Sequence, residues 1–102
     1  MRIIVMFDLP TATTEDKREY MHFRKGLIKL GFDMLQYSVY SRITRNNDDA
    51  RKYINKVKGI LPSVGSVRVL QVTEKQYSGM IIMLGDKIPT ENLLNTEDLI
   101  EL

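Results

Sequence analysis

The 102-residue chain contains no cysteine and only one histidine. Without cysteine there is no disulfide staple, no thiolate nucleophile and no zinc site of the usual kind. A Ser-His-Asp arrangement would have to draw on His22 alone. That residue lies beside the apolar stripe of the first expected helix, where it reads as a surface or boundary residue. No glycine-rich phosphate loop of either common pattern is present. No acidic cluster has the spacing of a metal cage, and Asp48-Asp49 reads as a helix start. The apolar runs fall far short of the ~20 residues that span a bilayer. The start, Met1-Arg2-Ile3-Ile4-Val5, reads as a strand with an early acid rather than a secretory leader. A soluble, cytoplasmic protein is expected.

What is present is unevenly charged. The chain as a whole carries +2, but residues 86–102 hold five acids against Lys87, a net of −4, which leaves +6 on residues 1–85. A basic body suits a polyanionic partner. The length is that of one domain, and a domain this small buries only about 60 to 65% of its unfolded surface. Burial against a second copy is a simple way to add to that, so an oligomer is expected.

Residues 2–8 read as a strand that is apolar on both faces. Thr13 or Thr14 can cap a helix over residues 14–30, with Glu15 and Asp16 in its first turn. Its apolar stripe is Tyr20, Phe23, Leu27 and Leu30, and Gly31 stands where a helix-terminating glycine belongs. Phe32 to Thr44 reads as one long strand. On that reading Met34, Gln36, Ser38, Tyr40 and Arg42 share a face. A second helix starts at Asn46–Asp49 and ends by Gly59–Pro62. Ser66–Thr73 and Gly79–Leu84 read as strands with a turn at Glu74–Ser78. Leu99–Leu102 reads as a short additional strand. The tally of four strands and two helices points to an α+β, ferredoxin-like βαββαβ domain over residues 1–85 with an acidic C-terminal extension over 86–102. In that fold both helices cover one face of the sheet. Ile4 and Met6 then face away from them, and a second copy packed on the helix-free face is the expected cover.

"RIIVMFDLP" ends this apolar strand in a carboxylate, Asp8, just before Pro10. A buried carboxylate is costly unless it is paired, protonated or metal-bound. One reading makes Asp8 a loop acid accepting backbone N–H bonds near Pro10. The other makes it a ligand for Mg²⁺, which commonly uses one or two protein carboxylates and keeps several waters. Such an ion can polarise a phosphodiester and activate water without any histidine.

The segments "IIVMFDLP", "DKREYMHFRKGLIKLGF" and "LQYSVYSR" together resemble the small CRISPR-associated adaptation endonuclease family, closest in look to members from type II systems. The resemblance covers about residues 2–85. It implies a ferredoxin-like homodimer with a Mg²⁺ or Mn²⁺ site between subunits, and it carries the catalytic and metal-binding role onto Asp8 alone. It implies a partner, the CRISPR integrase, in a heterohexamer of two integrase dimers and one dimer of this protein. There the dimer holds protospacer double-stranded DNA for spacer acquisition. Hydrolysis of single-stranded RNA or double-stranded DNA is described for members of the family. The helix sequence Lys17-Arg18-Glu19 departs from the more basic run expected there. A non-specific phosphate track is then expected over Arg18, Arg24, Lys25, Arg42, Arg45, Arg51 and Lys52. The dimer interface is expected to use Ile4, Met6, Gln36, Ser38 and Tyr40.

Two other classes fit the fold. A ferredoxin-like RNA-binding module without catalysis would stack bases on exposed aromatics of its central strands, for which the first strand offers Phe7. A small-molecule sensor would want a glycine-rich loop after the first strand, and Leu9–Thr14 has no glycine.

Overall fold

The computed structural model describes residues 1–88. Seven elements follow in order: β1 (Arg2–Asp8), α1 (Thr14–Lys29), β2 (Asp33–Gln36), β3 (Val39–Ile43), α2 (Asn47–Lys58), β4 (Ser66–Val72) and α3 (Glu74–Ser78). The four strands form one sheet in the order β2-β3-β1-β4. Every neighbouring pair is antiparallel. This is the expected ferredoxin-like fold, with β1 and β3 central, but the strand at Ser66–Thr73, third in the sequence reading and so expected in the middle of the sheet, is the edge strand β4.

The strands that make it differ from the sequence reading. Phe32–Thr44 is a hairpin of two strands, with Gln36 facing Val39 across the two-residue turn Tyr37-Ser38. Ser38 has φ 63°, a left-handed conformation that non-glycine residues adopt at a cost. Gly79–Leu84 forms no strand, and the expected turn at Glu74–Ser78 is the short helix α3. The reading of Leu99–Leu102 as a strand concerns residues outside those described.

Local chemistry explains the helix ends. The Thr13 hydroxyl accepts from the Asp16 backbone N–H at 3.0 Å, and the Asp16 carboxylate accepts from the Thr13 N–H at 3.2 Å. This reciprocal pair satisfies two otherwise orphaned donors. Gly31, at φ 86°, turns the chain out of α1. Asn46 caps α2 through the Asp49 N–H at 2.8 Å. Thr73 and Gln76 form a second reciprocal cap at α3. α3 is fastened to the start of β1 by buried Arg2, whose Nε donates to Glu74 at 3.1 Å. The Arg2 guanidinium also lies 3.9 Å from the centre of the Tyr77 ring.

Both long helices cover one face of the sheet. Ile3, Val5 and Phe7 of β1 meet Phe23 and Leu27 of α1 and Ala50 and Val57 of α2 there. Phe7 is the centre of an aromatic group. Its ring stands edge-on to Phe23 at 5.1 Å and stacks on Tyr40 at 5.7 Å. Burying such a ring contributes about 1.5–3 kcal/mol, with about 0.5–1.5 more per well-placed aromatic pair. Phe7 is therefore part of the core and cannot stack a base, so the RNA-binding module loses the aromatic it was expected to use.

Candidate functional site

Asp8 is the last residue of β1, paired in register with Ser66 of β4. Alternation along β1 puts it on the helix-free side with Ile4 and Met6. Its side chain is exposed, and no hydrogen bond or ion pair engages its carboxylate among the described residues. The backbone N–H bonds of a loop acid are thus not made. The carboxylate is open, while the backbone beneath it is tightly held. On one side lies Gly65 at φ 103°, where a Cβ would come 2.9 Å from the Asp8 carbonyl oxygen and 3.3 Å from Leu9 Cα. On the other side the Phe7 N–H donates to the Ser38 carbonyl at 3.0 Å, which fixes the Tyr37-Ser38 turn beside the end of β1.

The donor chemistry suits a hard cation such as Mg²⁺ or Mn²⁺. Asp8 offers oxygen alone, unencumbered by other partners. Among the described residues no group of three histidines or carboxylates comes together. One chain therefore supplies a single carboxylate, which fits an ion that keeps most of its waters or takes a second ligand from another copy.

The helix-free face carries a cavity of about 790 Å³ lined by Ile4, Met6, Leu35, Gln36, Val39 and Leu70 and by the segment Met80–Asp86. Much of that segment is open: Ile81, Met83 and Leu84 are 78, 89 and 94% exposed. Of the residues expected at a dimer interface, Ile4, Met6 and Gln36 lie on this face. Ser38 is in the turn at its edge. Tyr40 is not on it: opposite Val5 in register, it is 1% exposed within the core. A two-residue turn joins residues 36 and 39 on one face, so the simple alternation that grouped Gln36 with Tyr40 reverses there. A register irregularity between Met34 and Gln36 adds to the shift.

The expected basic track divides. Arg18, Arg45 and Arg51 each pair with a nearby acid, respectively Glu15 at 3.1 Å, Asp49 at 3.4 Å and Asp48 at 3.4 Å. Arg24 donates through Nε to the Tyr40 hydroxyl at 2.8 Å. Arg42, on the helix side, lies 3.7 Å from the centre of the Tyr53 ring, with Lys56 and Lys52 at 4.9 and 5.4 Å. Lys25 is exposed on α1. The basic residues are spread over α1, the end of β3, the loop after it and α2. Asp49 accepts the Arg45 backbone N–H at 3.0 Å, and that bond first, with the Arg45 guanidinium, holds its carboxyl below the usual carboxylate range. Sequence reading missed Gly65, although its place in Pro62-Ser63-Val64-Gly65, just before a strand, was a visible sign of an unusual backbone. No helix among the described residues is long and apolar enough to cross a membrane.

Comparison with known proteins adds to this picture. Residues 1–80 match the family model described as CRISPR associated protein Cas2. A relative named CRISPR-associated endoribonuclease Cas2 from Acidovorax ebreus is 45% identical over 95 residues, covering 93% of each chain. Another of that name, from Treponema denticola, is 45% identical over 102 residues and all of both chains. A crystal structure of Streptococcus pyogenes Cas2 at pH 6.5 aligns with a TM-score of 0.60 over 83% of this chain and 100% of that one. At 18% identity, that match speaks to the fold alone. With four-fifths of its length matched by the family model and close relatives spanning nearly all of it, this chain belongs to the CRISPR-associated Cas2 family.

Proposed function

We propose that this protein works as a homodimer in CRISPR adaptation, holding duplex DNA in the integrase complex and hydrolysing phosphodiester bonds at a divalent-ion site built on Asp8. One observation carries the reading: the apolar helix-free face and the open Asp8 carboxylate belong to the same side of the same strand. An apolar surface of this kind calls for a cover. A second copy is a self-complementary one, and a two-fold axis beside β1 draws two Asp8 side chains together. The relatives' name, endoribonuclease, supports RNA as a substrate that is cut.

Asp8 would hold Mg²⁺ or Mn²⁺, which when bound neutralises charge on a phosphate and acidifies a water. The chain's own part is positioning. Gly65 and the Tyr37-Ser38 turn hold the Asp8 backbone, and the open carboxylate presents oxygens to the site. Lys25, Lys52 and the arginines of α1 and α2 attract the phosphate backbone without reading sequence.

The test pairs the wild type with Asp8→Ala. Both are incubated with labelled single-stranded RNA and duplex DNA, in Mg²⁺, in Mn²⁺ and in EDTA. Binding and mass in solution are read alongside cleavage. The expected result is a dimer in both proteins, binding in both, and cleavage only in the wild type with metal. Cleavage that survives in Asp8→Ala refutes the site. A monomer at micromolar concentration refutes the sheet-to-sheet cover.

A further inference from the structure

A second, smaller groove of about 330 Å³ is lined by Tyr20, Met21 and Arg24 of α1, by Met34 of β2 and by Tyr37 of the turn. We propose that it receives one unpaired nucleobase of a single-stranded nucleic acid whose backbone runs over the turn toward Asp8. This rests on the reading of Asp8 given above and adds a substrate feature to it.

The lining is the chemistry that holds a base. Two phenol rings and two polarisable thioethers offer flat or adaptable apolar surface, and a guanidinium stands beside them. Tyr37 is 85% exposed, an unusual place for a large aromatic ring. Its neighbour Ser38 holds the turn at φ 63°, a strained conformation of the sort kept where a side chain must be aimed. Arg24 is steadied by its 2.8 Å bond to Tyr40, so the guanidinium is oriented before any ligand arrives.

Charge selects the occupant. Lys17 and Lys25 are each one helical turn from Met21 on α1, and neither forms an ion pair among the described residues. With Arg24 they make a cationic rim around an aromatic floor, which favours a base attached to phosphates over an apolar peptide. The Phe7 N–H bond to the Ser38 carbonyl ties the groove's outer wall to the residue before Asp8. A base seated here would therefore belong to a nucleotide close to the phosphate at Asp8. A paired base cannot enter, because its faces and edge are already engaged in the duplex.

The experiment uses EDTA throughout, so that it is independent of metal and of cleavage. Single-stranded RNA and single-stranded DNA carrying 2-aminopurine at successive positions are titrated with the wild type, Tyr37→Ala and Tyr37→Phe. A fully paired duplex is the control. The expected results are quenched fluorescence at one position with the wild type, affinity for single strands lowered about tenfold in Tyr37→Ala, near-normal affinity in Tyr37→Phe, and duplex affinity within twofold for all three. Preference between the RNA and DNA arms identifies the natural strand. Quenching that survives in Tyr37→Ala, or an equal loss for single strand and duplex, overturns the proposal. Because Tyr37 is so exposed, thermal melting should be unchanged in the variants, and a shared loss of folding would overturn the placement of the ring. Loss of cleavage in Asp8→Ala with quenching retained leaves this groove standing. Wild-type quenching here, together with no wild-type cleavage in Mg²⁺ or Mn²⁺, refutes the Asp8 reading alone.

Discussion

Replacing Gly65 by alanine tests the seat of Asp8 directly. At φ 103° an L-residue is strained whatever the space around it, at about 1–2 kcal/mol. The added methyl would also stand 2.6 Å from Leu9 Cδ2 and 2.9 Å from the Asp8 carbonyl oxygen. The leucine tip can turn aside, but the carbonyl belongs to backbone paired with β4 and can yield only by moving the end of β1. Overpacking of that kind costs about 1–3 kcal/mol. The two effects together come to about 3 kcal/mol, a large part of the 5–15 kcal/mol that holds a typical domain. Urea unfolding should show a lower midpoint with an unchanged slope, and thermal melting should fall by about 12–24 °C. On the proposed function, cleavage in Mg²⁺ should fall further than the folded fraction explains, since the displaced atoms include those of Asp8. A loss below about 1 kcal/mol with full activity would refute the account of how the carboxylate is held.

Two further outcomes follow from the hairpin and from α2. Ser38→Gly removes left-handed strain but makes the unfolded chain looser, so a net gain of about 0.5–1 kcal/mol is expected in thermal melting. A loss instead would mean that the serine side chain contributes to the turn. Asp49, held below the usual carboxylate range by the Arg45 N–H and guanidinium, stabilises the folded state while ionised. That contribution is complete above the unfolded-state value near 3.9 and fades as the pH falls through the lower folded value. Urea midpoints of the wild type and Asp49→Asn should therefore differ by a constant amount from pH 7 to about 5 and converge below about 4. A difference that persists unchanged at pH 3 would refute the assignment.

Much of this fold was legible where side chains and backbone agree locally. Thr13, Asp16 and Gly31 mark both ends of α1 because caps are short-range chemistry. The doubly apolar β1 correctly implied a central strand, and its Asp8 was visible as an acid out of keeping with the run before it. The hairpin was not legible. Tyr37-Ser38 lacks the glycine or asparagine that usually signals a turn, and Ser38 takes the left-handed conformation at its own cost. Missing that turn placed Tyr40 on the wrong face and required a strand at Gly79–Leu84 that the sheet does not contain. The signal for α3 was present in Thr73-Glu74-Lys75-Gln76, a reciprocal capping pattern, but its brevity hid it. The close approach of Gly65 to Asp8 is a contact between distant parts of the chain, and local pattern carries no trace of it.

The strand order also sets when the site is completed. The β2–β3 hairpin closes a two-residue loop, whereas β1 must wait for β4, with Arg2 opposite Val72 and Asp8 opposite Ser66. Loop closure over such a span is entropically slow, and long-range pairings of this kind lower folding rates. During synthesis, the first strand emerges long before the residues that flank its carboxylate. Until Gly65 and β4 arrive, a highly apolar segment has one edge open to pairing with other chains. Expression yield should therefore depend on how fast the second half of the chain follows the first.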